Sequence, residues 1–440
     1  MGDPILSALM FPALFLLIFL GLPVAFSLIV VSFGFGYLFF GPTIASQAFR
    51  FLDSITTNYT LAAIPMFIFM GAMLERSSVA ERLYEVMSLL FRRVRGGLAL
   101  ATVAMCALFA AGTGIVGAVE ALVGLMAIPA MMRAGYDKGL IAGTICAGGS
   151  LGTIIPPSIV VVIYANSANL SIGKVMAGII LPGALMVMLF LGYIYLRARL
   201  RPESAPPRRV TGQEPGGLAL LRMTLAALIP PILLVVSTIG AILAGIASPT
   251  EAAGIGALGT VLLALAYRTF TWRRFYEALR QTVGINCMVL LIVAGGTMFT
   301  SIFRVLGGQQ LITGIVQSSD MSPALVTAFL LLLIFILGAL LDWVSVVLIT
   351  IPIFLPILTQ FGIDPLWFGV MAIVVIQTSY LTPPMAPAIF YLRSIAPPEM
   401  GYAHMYRGVL PFILCQLVVL AIVAALPGTA TWLPDRIVGF

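Results

Sequence analysis

Residues 129–157 read PAMMRAGYDKGLIAGTICAGGSLGTIIPP, and residues 356–384 read PILTQFGIDPLWFGVMAIVVIQTSYLTPP. Both contain Pro-x5-Gly-x-Asp, as Pro129, Gly135 and Asp137 in one and Pro356, Gly362 and Asp364 in the other. Both continue with Ser-x-x-Thr (Ser150 and Thr153; Ser379 and Thr382) and end on Pro-Pro (Pro156-Pro157; Pro383-Pro384). The copies stand 227 residues apart, or 229 at the Ser and Thr. Each follows an apolar segment broken by small or polar residues, Ala111-Gly112-Thr113-Gly114 in the first and Leu341-Asp342-Trp343 in the second. A duplicated pair of broken apolar segments points to the binding site of a secondary transporter.

Composition names the solvent around these segments. Of the 440 residues, 61% are hydrophobic and 9% charged, too few polar groups to cover a soluble domain of this size. Apolar runs long enough to cross ~30 Å of hydrocarbon recur along the chain, without the short alternating strands of a membrane barrel. The expected class is therefore an all-α polytopic membrane protein lying in a lipid bilayer. The net charge of +7 comes from basic residues that punctuate apolar spans, so no nucleic-acid partner is implied. No basic n-region precedes the first apolar run, which predicts a retained membrane helix and not a cleaved signal. Four scattered cysteines and a single histidine, His404, give no metal-ligand spacing and no disulfide framework.

Along the chain, residues 5–40 read as two helices parted at Gly21-Leu22-Pro23, followed by a polar loop over 41–58 and a helix over 60–75. Residues 78–95 alternate charged and apolar positions at helical spacing, which predicts an amphipathic helix in the membrane interface. The first broken unit spans about 97–132, a helix 138–153, and a further span 174–196. A hydrophilic linker, 197–217, divides the halves. The second half repeats the plan, with spans over 218–246 and 251–267, an amphipathic stretch over 271–281, and a span over 282–306. The second broken unit (323–360), a helix (365–382) and a final span (408–426) complete it. If the N-terminus is outside and each broken unit is a hairpin returning to the side it left, 19 of 23 basic residues fall inside. The exceptions are Arg50, Lys174, Arg304 and Arg436. This predicts inverted repeats with two re-entrant helical hairpins, the architecture of alternating-access carriers.

Non-helical backbone at membrane depth is tolerated only where it is buried or lines a wet cavity. Freed carbonyls with nearby hydroxyls suit a hard cation such as Na⁺, and freed amides at helix N-termini suit a carboxylate. Thr113, Gly114, Gly149, Ser150 and Thr153 form one candidate Na⁺ cage, and Asp342, Ser345, Ser379 and Thr382 its mirror. Thr113, Ser150, Pro156, Ser345 and Pro383 are candidate substrate contacts. For each residue alone, self-bonding hydroxyls and close helix packing weigh equally. Asp342 reads equally as an N-cap. Glu120 is a further intramembrane candidate, because burying an ionisable group is costly; Glu251 reads as a helix cap. No ATP-binding P-loop and no Ser/His/Asp, G-x-S-x-G or H-E-x-x-H arrangement occurs, so no enzyme activity and no cofactor are expected.

These residues resemble a known family. Residues 109–158, FAAGTGIVGAVEALVGLMAIPAMMRAGYDKGLIAGTICAGGSLGTIIPPS, are similar to the first hairpin region of the large membrane subunit of tripartite ATP-independent periplasmic (TRAP) transporters. SPTEAAGIGAL, LLDWVSVVLITIPIFLPI, FGIDPLWFGV and LTPPMAPAIFYLR resemble its later motifs, in order. The resemblance implies an ion-transporter-type elevator fold with a static scaffold and a mobile domain holding both hairpins. On that plan residues 1–96 are scaffold and arm, 97–172 the first transport repeat, and 173–322 scaffold with the linker. Residues 323–400 are the second repeat and 401–440 the C-terminal helix. It also implies Na⁺-coupled uptake of a small organic anion across the bacterial inner membrane; the distribution of basic residues predicts periplasmic N- and C-termini. The partners implied are a small four-helix membrane subunit and a periplasmic substrate-binding protein. Many relatives have a Ser-rich first tip and Val-Gly after Thr-Pro-Pro, where this chain has Gly112-Thr113-Gly114 and Met385-Ala386-Pro387. The variant resembles a subgroup associated with 2-oxo acids and other monocarboxylates. The competing reading is a stand-alone Na⁺- or H⁺-driven organic anion symporter; a channel is a more distant one.

Overall fold

The computed structural model describes residues 4–113, 117–207, 217–318 and 321–437, and among them every regular element is helical. Seven helices among these residues are long and apolar enough to cross a membrane, or eight if Tyr59–Glu75 and Val79–Leu90, bent by 60°, count as one span. The chain is thus a multi-pass membrane protein.

The first helices are α1 (Pro4–Phe19), α2 (Val24–Phe40), α3 (Ile44–Thr56), α4 (Ala63–Glu75) and α5 (Val79–Leu90). The break expected at Gly21-Leu22-Pro23 is present, with Gly21 at φ +93°, a backbone state that suits a residue lacking Cβ. The expected polar loop at 41–58 is instead a 3-10 turn and then α3, which buries Ile44, Ala48 and Ile55 along one stripe. α5 is amphipathic as expected. Its apolar face is covered by protein, because Val79, Leu83, Val86 and Met87 are buried and α5 packs on the hairpin that follows it.

That hairpin is α6 (Gly97–Thr113) and α7 (Ala118–Arg133), followed by α8 (Lys138–Ser150), α9 (Ile159–Ser167) and α10 (Ile172–Leu200). Asp137 starts α8 by accepting the Leu140 N–H at 2.9 Å, and Gly135 takes φ +80° in the turn before it. The expected linker begins inside α10, which runs on to Leu200, and its next residues are docked. Ser204 carbonyl accepts the Asp137 N–H and Ala205 carbonyl the Gly96 N–H. Arg197 meets Asp137 at 2.8 Å, and Tyr136 hydroxyl accepts the Leu98 N–H. Both ends of the first hairpin and the end of α10 therefore share one side of the molecule.

The second half comprises α11 (Gly217–Leu243), α12 (Pro249–Ala266), α13 (Trp272–Val305), α14 (Gly308–Ser318), α15 (Pro323–Gly338), α16 (Trp343–Gln360), α17 (Pro365–Leu381), α18 (Pro387–Ile395), α19 (Tyr402–Ala425) and α20 (Gly428–Ile437). The amphipathic stretch expected at 271–281 is no separate element. It forms the first turns of α13, whose 34 residues rise about 51 Å and so overshoot a ~30 Å core. Glu251 closes a capping box with Ser248 at the start of α12, which accounts for it as a cap. Asp364 caps α17 as Asp137 caps α8, and Gly362 takes φ +64° as Gly135 takes its own positive value. The duplicated motif therefore has one physical meaning in both copies: a helical Pro, a left-handed Gly, a capping Asp. Both Pro-Pro bonds are cis.

Contacts at the ends fix direction. α8 starts beside Arg197, and α9 ends where Tyr164 hydroxyl donates to Pro365 carbonyl at the start of α17. α18 ends near Glu399, which meets Lys138 at 3.8 Å. The α8–α9 and α17–α18 pairs thus run in opposite directions. Packing is crosswise: the first hairpin packs on α8 and α18, and α16 of the second on α17 and α9. α19 lies against α8, α17 and α10, whereas α13 packs on α2, α4 and α16.

Candidate functional site

The two breaks are Leu151–Ser158 and Thr382–Ala386, and contacts between the hairpin tips and the helices flanking these breaks define the site. From the first tip, Glu120 reaches α8 and α17. A Cβ on Gly149 would stand 2.0 Å from Glu120 Cγ, so the glycine makes room for the carboxylate. Tyr380 hydroxyl donates to Glu120 Oε2 at 3.2 Å. Gly117, at φ +57°, faces the Tyr391 ring. From the second tip, Gly338 packs on the Ser379 side chain, where a Cβ would come within 2.3 Å of Oγ.

Ser150 is the hub of the first break. It is fully buried, donates to Ala147 carbonyl at 2.8 Å, and accepts from Gln377 Nε2 at 3.1 Å and from Gln416 Nε2 at 3.5 Å. Three segments distant in sequence, α8, α17 and α19, are pinned at one hydroxyl. Thr153 Oγ1 donates to Ser150 carbonyl and Ser158 Oγ to Thr153 carbonyl, so the hydroxyls stand in for the N–H groups the broken helix lacks. In the second copy Ser379 donates to Ile376 carbonyl and Thr382 to Thr378 carbonyl.

Asp342 caps α16, accepting Ser345 N–H at 3.1 Å and Ser345 hydroxyl at 2.6 Å. The structure thus brings Gly149, Ser150 and Thr153 together with Glu120, and pairs Asp342 with Ser345. Among the described residues no hydrogen bond joins that pair to Ser379 or Thr382. Gly114 lies outside the described residues, as does the Thr113 side chain. Pro156 and Pro157 are buried, whereas Pro383, Pro384 and Met385 are exposed, so the two breaks are unequal in access.

The sequence reading missed Gln377, Gln416 and Tyr380. A signal existed: Gln377 interrupts the apolar run MAIVVIQTSYL and Gln416 the apolar run LPFILCQLVVL. Polar residues within such runs are glue or function. Their carbonyl oxygens, Gln377 Oε1 and Gln416 Oε1, are buried without a hydrogen-bond partner, as is Glu120 Oε1. An orphaned buried acceptor costs about 1–3 kcal/mol, more if charged. All three belong to side chains that touch Ser150 or its neighbour Gly149, and an unpartnered buried oxygen is the kind of group a hard cation satisfies.

The comparisons agree with this architecture. The family model described as tripartite ATP-independent periplasmic transporter, DctM component, matches residues 11–429. The chain is similar to the C4-dicarboxylate TRAP transporter large permease protein DctM of Pseudomonas aeruginosa, 34% identical over 90% of this chain and 91% of that one. It is 30% identical to the ectoine/5-hydroxyectoine TRAP transporter large permease protein UehC of Ruegeria pomeroyi, over 98% of this chain and 99% of that one. It is 29% identical to the sialic acid TRAP transporter large permease protein SiaM of Vibrio cholerae, over 96% and 97%. Among solved structures it shares its fold with the YdaH transporter of Alcanivorax borkumensis, at TM-score 0.59 and 17% identity over 89% of this chain and 90% of that one. MtrF of Neisseria gonorrhoeae matches at TM-score 0.61 and 16% identity over 87% and 83%.

Proposed function

We propose a transport cycle for this chain, which belongs to the DctM component family of tripartite ATP-independent periplasmic transporters and is therefore the large permease subunit of a secondary transporter. It is a Na⁺-coupled elevator that imports a small organic acid, of the 2-oxo acid or other monocarboxylate class, across the bacterial inner membrane. The observation that carries this reading is the crosswise packing: two antiparallel copies of one motif, each hairpin seated on the first half of its own broken helix and the second half of the other's. That packing supports inverted re-entrant hairpins and, with the arginine distribution, periplasmic N- and C-termini.

In this reading Na⁺ enters beside Ser150 and Gly149, where Glu120 and the two glutamine carbonyls offer unpartnered oxygens. A second ion enters at Asp342, Ser345, Ser379 and Thr382. The ions steady the tips, an organic anion binds between them, and the hairpin body slides. The mobile body is residues 97–172 and 323–400, carried against a scaffold of residues 1–96 and 173–322. Ion binding drives the cycle only through its preference for the substrate-ready state. A small four-helix membrane subunit and a periplasmic substrate-binding protein complete the transporter.

The test is uptake by the reconstituted complex. Replacing external Na⁺ with choline or K⁺ is expected to abolish uptake, and unchanged flux would refute the coupling. Ser150→Ala or Ser379→Ala is expected to weaken Na⁺ dependence more than membrane expression. Uptake by the two membrane subunits without any binding protein would favour the stand-alone symporter.

A further inference from the structure

The side of the molecule away from Arg197 carries a polar cavity of about 230 Å³ between the scaffold and the second hairpin. α3 contributes Ser54, the α3–α4 connection Asn58, α9 Asn166, and α13 Thr297, Ser301 and Arg304, with Leu348 and Pro352 of α16 opposite. Asn58 Nδ2 donates to Asn166 Oδ1 at 3.1 Å, tying scaffold to transport repeat at the rim. Among the described residues Arg304 is the only ionisable side chain in the lining, and no carboxylate pairs with it.

What Arg304 does touch is a backbone carbonyl freed by proline. Pro356 has no N–H for the carbonyl of Pro352, and Pro352 has none for that of Leu348. These two acceptors on α16 are taken from α13, one turn apart: Thr300 Oγ1 donates to Leu348 carbonyl at 3.1 Å, and Arg304 Nη2 donates to Pro352 carbonyl. A guanidinium carries five N–H donors, so a single neutral acceptor leaves most of it unspent. A carboxylate is a stronger, bidentate partner for the same group.

We infer that this cavity is an anion-receiving site in which Arg304, with the hydroxyls and amides around it, takes the carboxylate of a small organic acid before the acid reaches the hairpin tips. Its volume lies below the ~300–1,000 Å³ of sites for drug-sized ligands, which limits the guest to a small acid. Because Arg304 also holds Pro352, an arriving carboxylate competes with the contact that ties α16 to α13. The inference deepens the transport reading and rests on it for which side of the membrane the cavity faces.

The test does not need transport. In the complex with its small subunit, with Cys106, Cys146, Cys287 and Cys415 replaced, Ser301→Cys is labelled from outside intact spheroplasts with an anionic sulfonatoethyl or a cationic trimethylammonium-ethyl methanethiosulfonate. Rates are normalised to those of a free thiol. The anionic reagent is expected to react faster by about tenfold, the scale of local electrostatic focusing. Millimolar pyruvate should slow it at constant ionic strength. Arg304→Gln should remove both the preference and the protection, and Arg304→Lys should retain the preference. Equal rates for the two reagents, or pyruvate protection unchanged by Arg304→Gln, would overturn the site. The same preference seen only with reagent admitted to the cytoplasmic side would uphold the anion site and overturn the topology of the proposed cycle.

Discussion

Substituting Gly149 by Ala puts a methyl group where Glu120 now lies. The new Cβ would stand 2.0 Å from Glu120 Cγ, 2.8 Å from Cδ and 2.9 Å from Oε1, and the carboxylate cannot simply swing away because Tyr380 holds it. Overpacking of this kind costs about 1–3 kcal/mol. Glu120→Ala removes all three clashing atoms and leaves a cavity of roughly 50 Å³, worth about 1 kcal/mol. In the double variant the methyl introduced by Gly149→Ala fills part of that cavity, so the two changes should compensate. The expected coupling is about 2 kcal/mol in favour of the double variant. Unfolding in mixed detergent micelles, followed by tryptophan fluorescence, would read all four corners of the cycle. Additivity to within about 0.5 kcal/mol would refute the reasoning, because it would mean that Glu120 does not point at Gly149.

Gly408→Ala should be more damaging than its chemistry suggests, since its Cβ would lie 2.0 Å from Gly139 carbonyl oxygen and 3.0 Å from Gly143 N, both backbone atoms. A loss of about 3 kcal/mol is expected, whereas Gly192→Ala, facing open space on α10, should be neutral or gain up to ~1 kcal/mol; equal thermal stability of the two variants would contradict the close approach. Burial pushes the Tyr136 hydroxyl up to about 12, partly offset by the Leu98 N–H it accepts. A phenol raised above its unfolded value contributes stability below pH ~10 that is lost as pH climbs through about 12, so Tyr136→Phe should flatten the alkaline stability profile in that window. An unaltered profile would exclude Tyr136 as the titrating group. On the proposed Na⁺-coupled cycle, Gln377→Leu should weaken uptake while Gln377→Glu retains part of it, read as apparent Na⁺ affinity in vesicles; equal loss in both would argue for packing alone.

The parts of this fold that can be read from sequence are those whose cause is local. Gly135 with Asp137, and Gly362 with Asp364, specify a left-handed turn and a cap within three residues, so the duplication is visible without any tertiary knowledge. Hairpin breaks are visible for the same reason. The α3 segment reads as a loop because its polar surface dominates its composition, although Ile44, Ala48 and Ile55 recur at helical spacing. α13 reads as two elements because a basic, aromatic start and an apolar continuation look unlike each other, while a helix needs no change of conformation to leave the membrane. α14, α18 and α20 are too short to announce themselves. The centre of the site is hidden for a different reason. Ser150 finds its amide partners 227 and 266 residues away, a relation set by how α8, α17 and α19 pack and by no spacing within any one of them.

The meeting of Gly143 with Gly408 has a consequence for how the molecule is made. Every residue of α8 from Gly139 to Ser150 is buried, yet part of its covering is α19, which leaves the ribosome more than 250 residues later. Until then this glycine-rich segment waits in the nascent chain with its narrow face uncovered. A polypeptide ending before Tyr402 would hold both copies of the motif and still leave the glycine face of α8 without the helix that covers it.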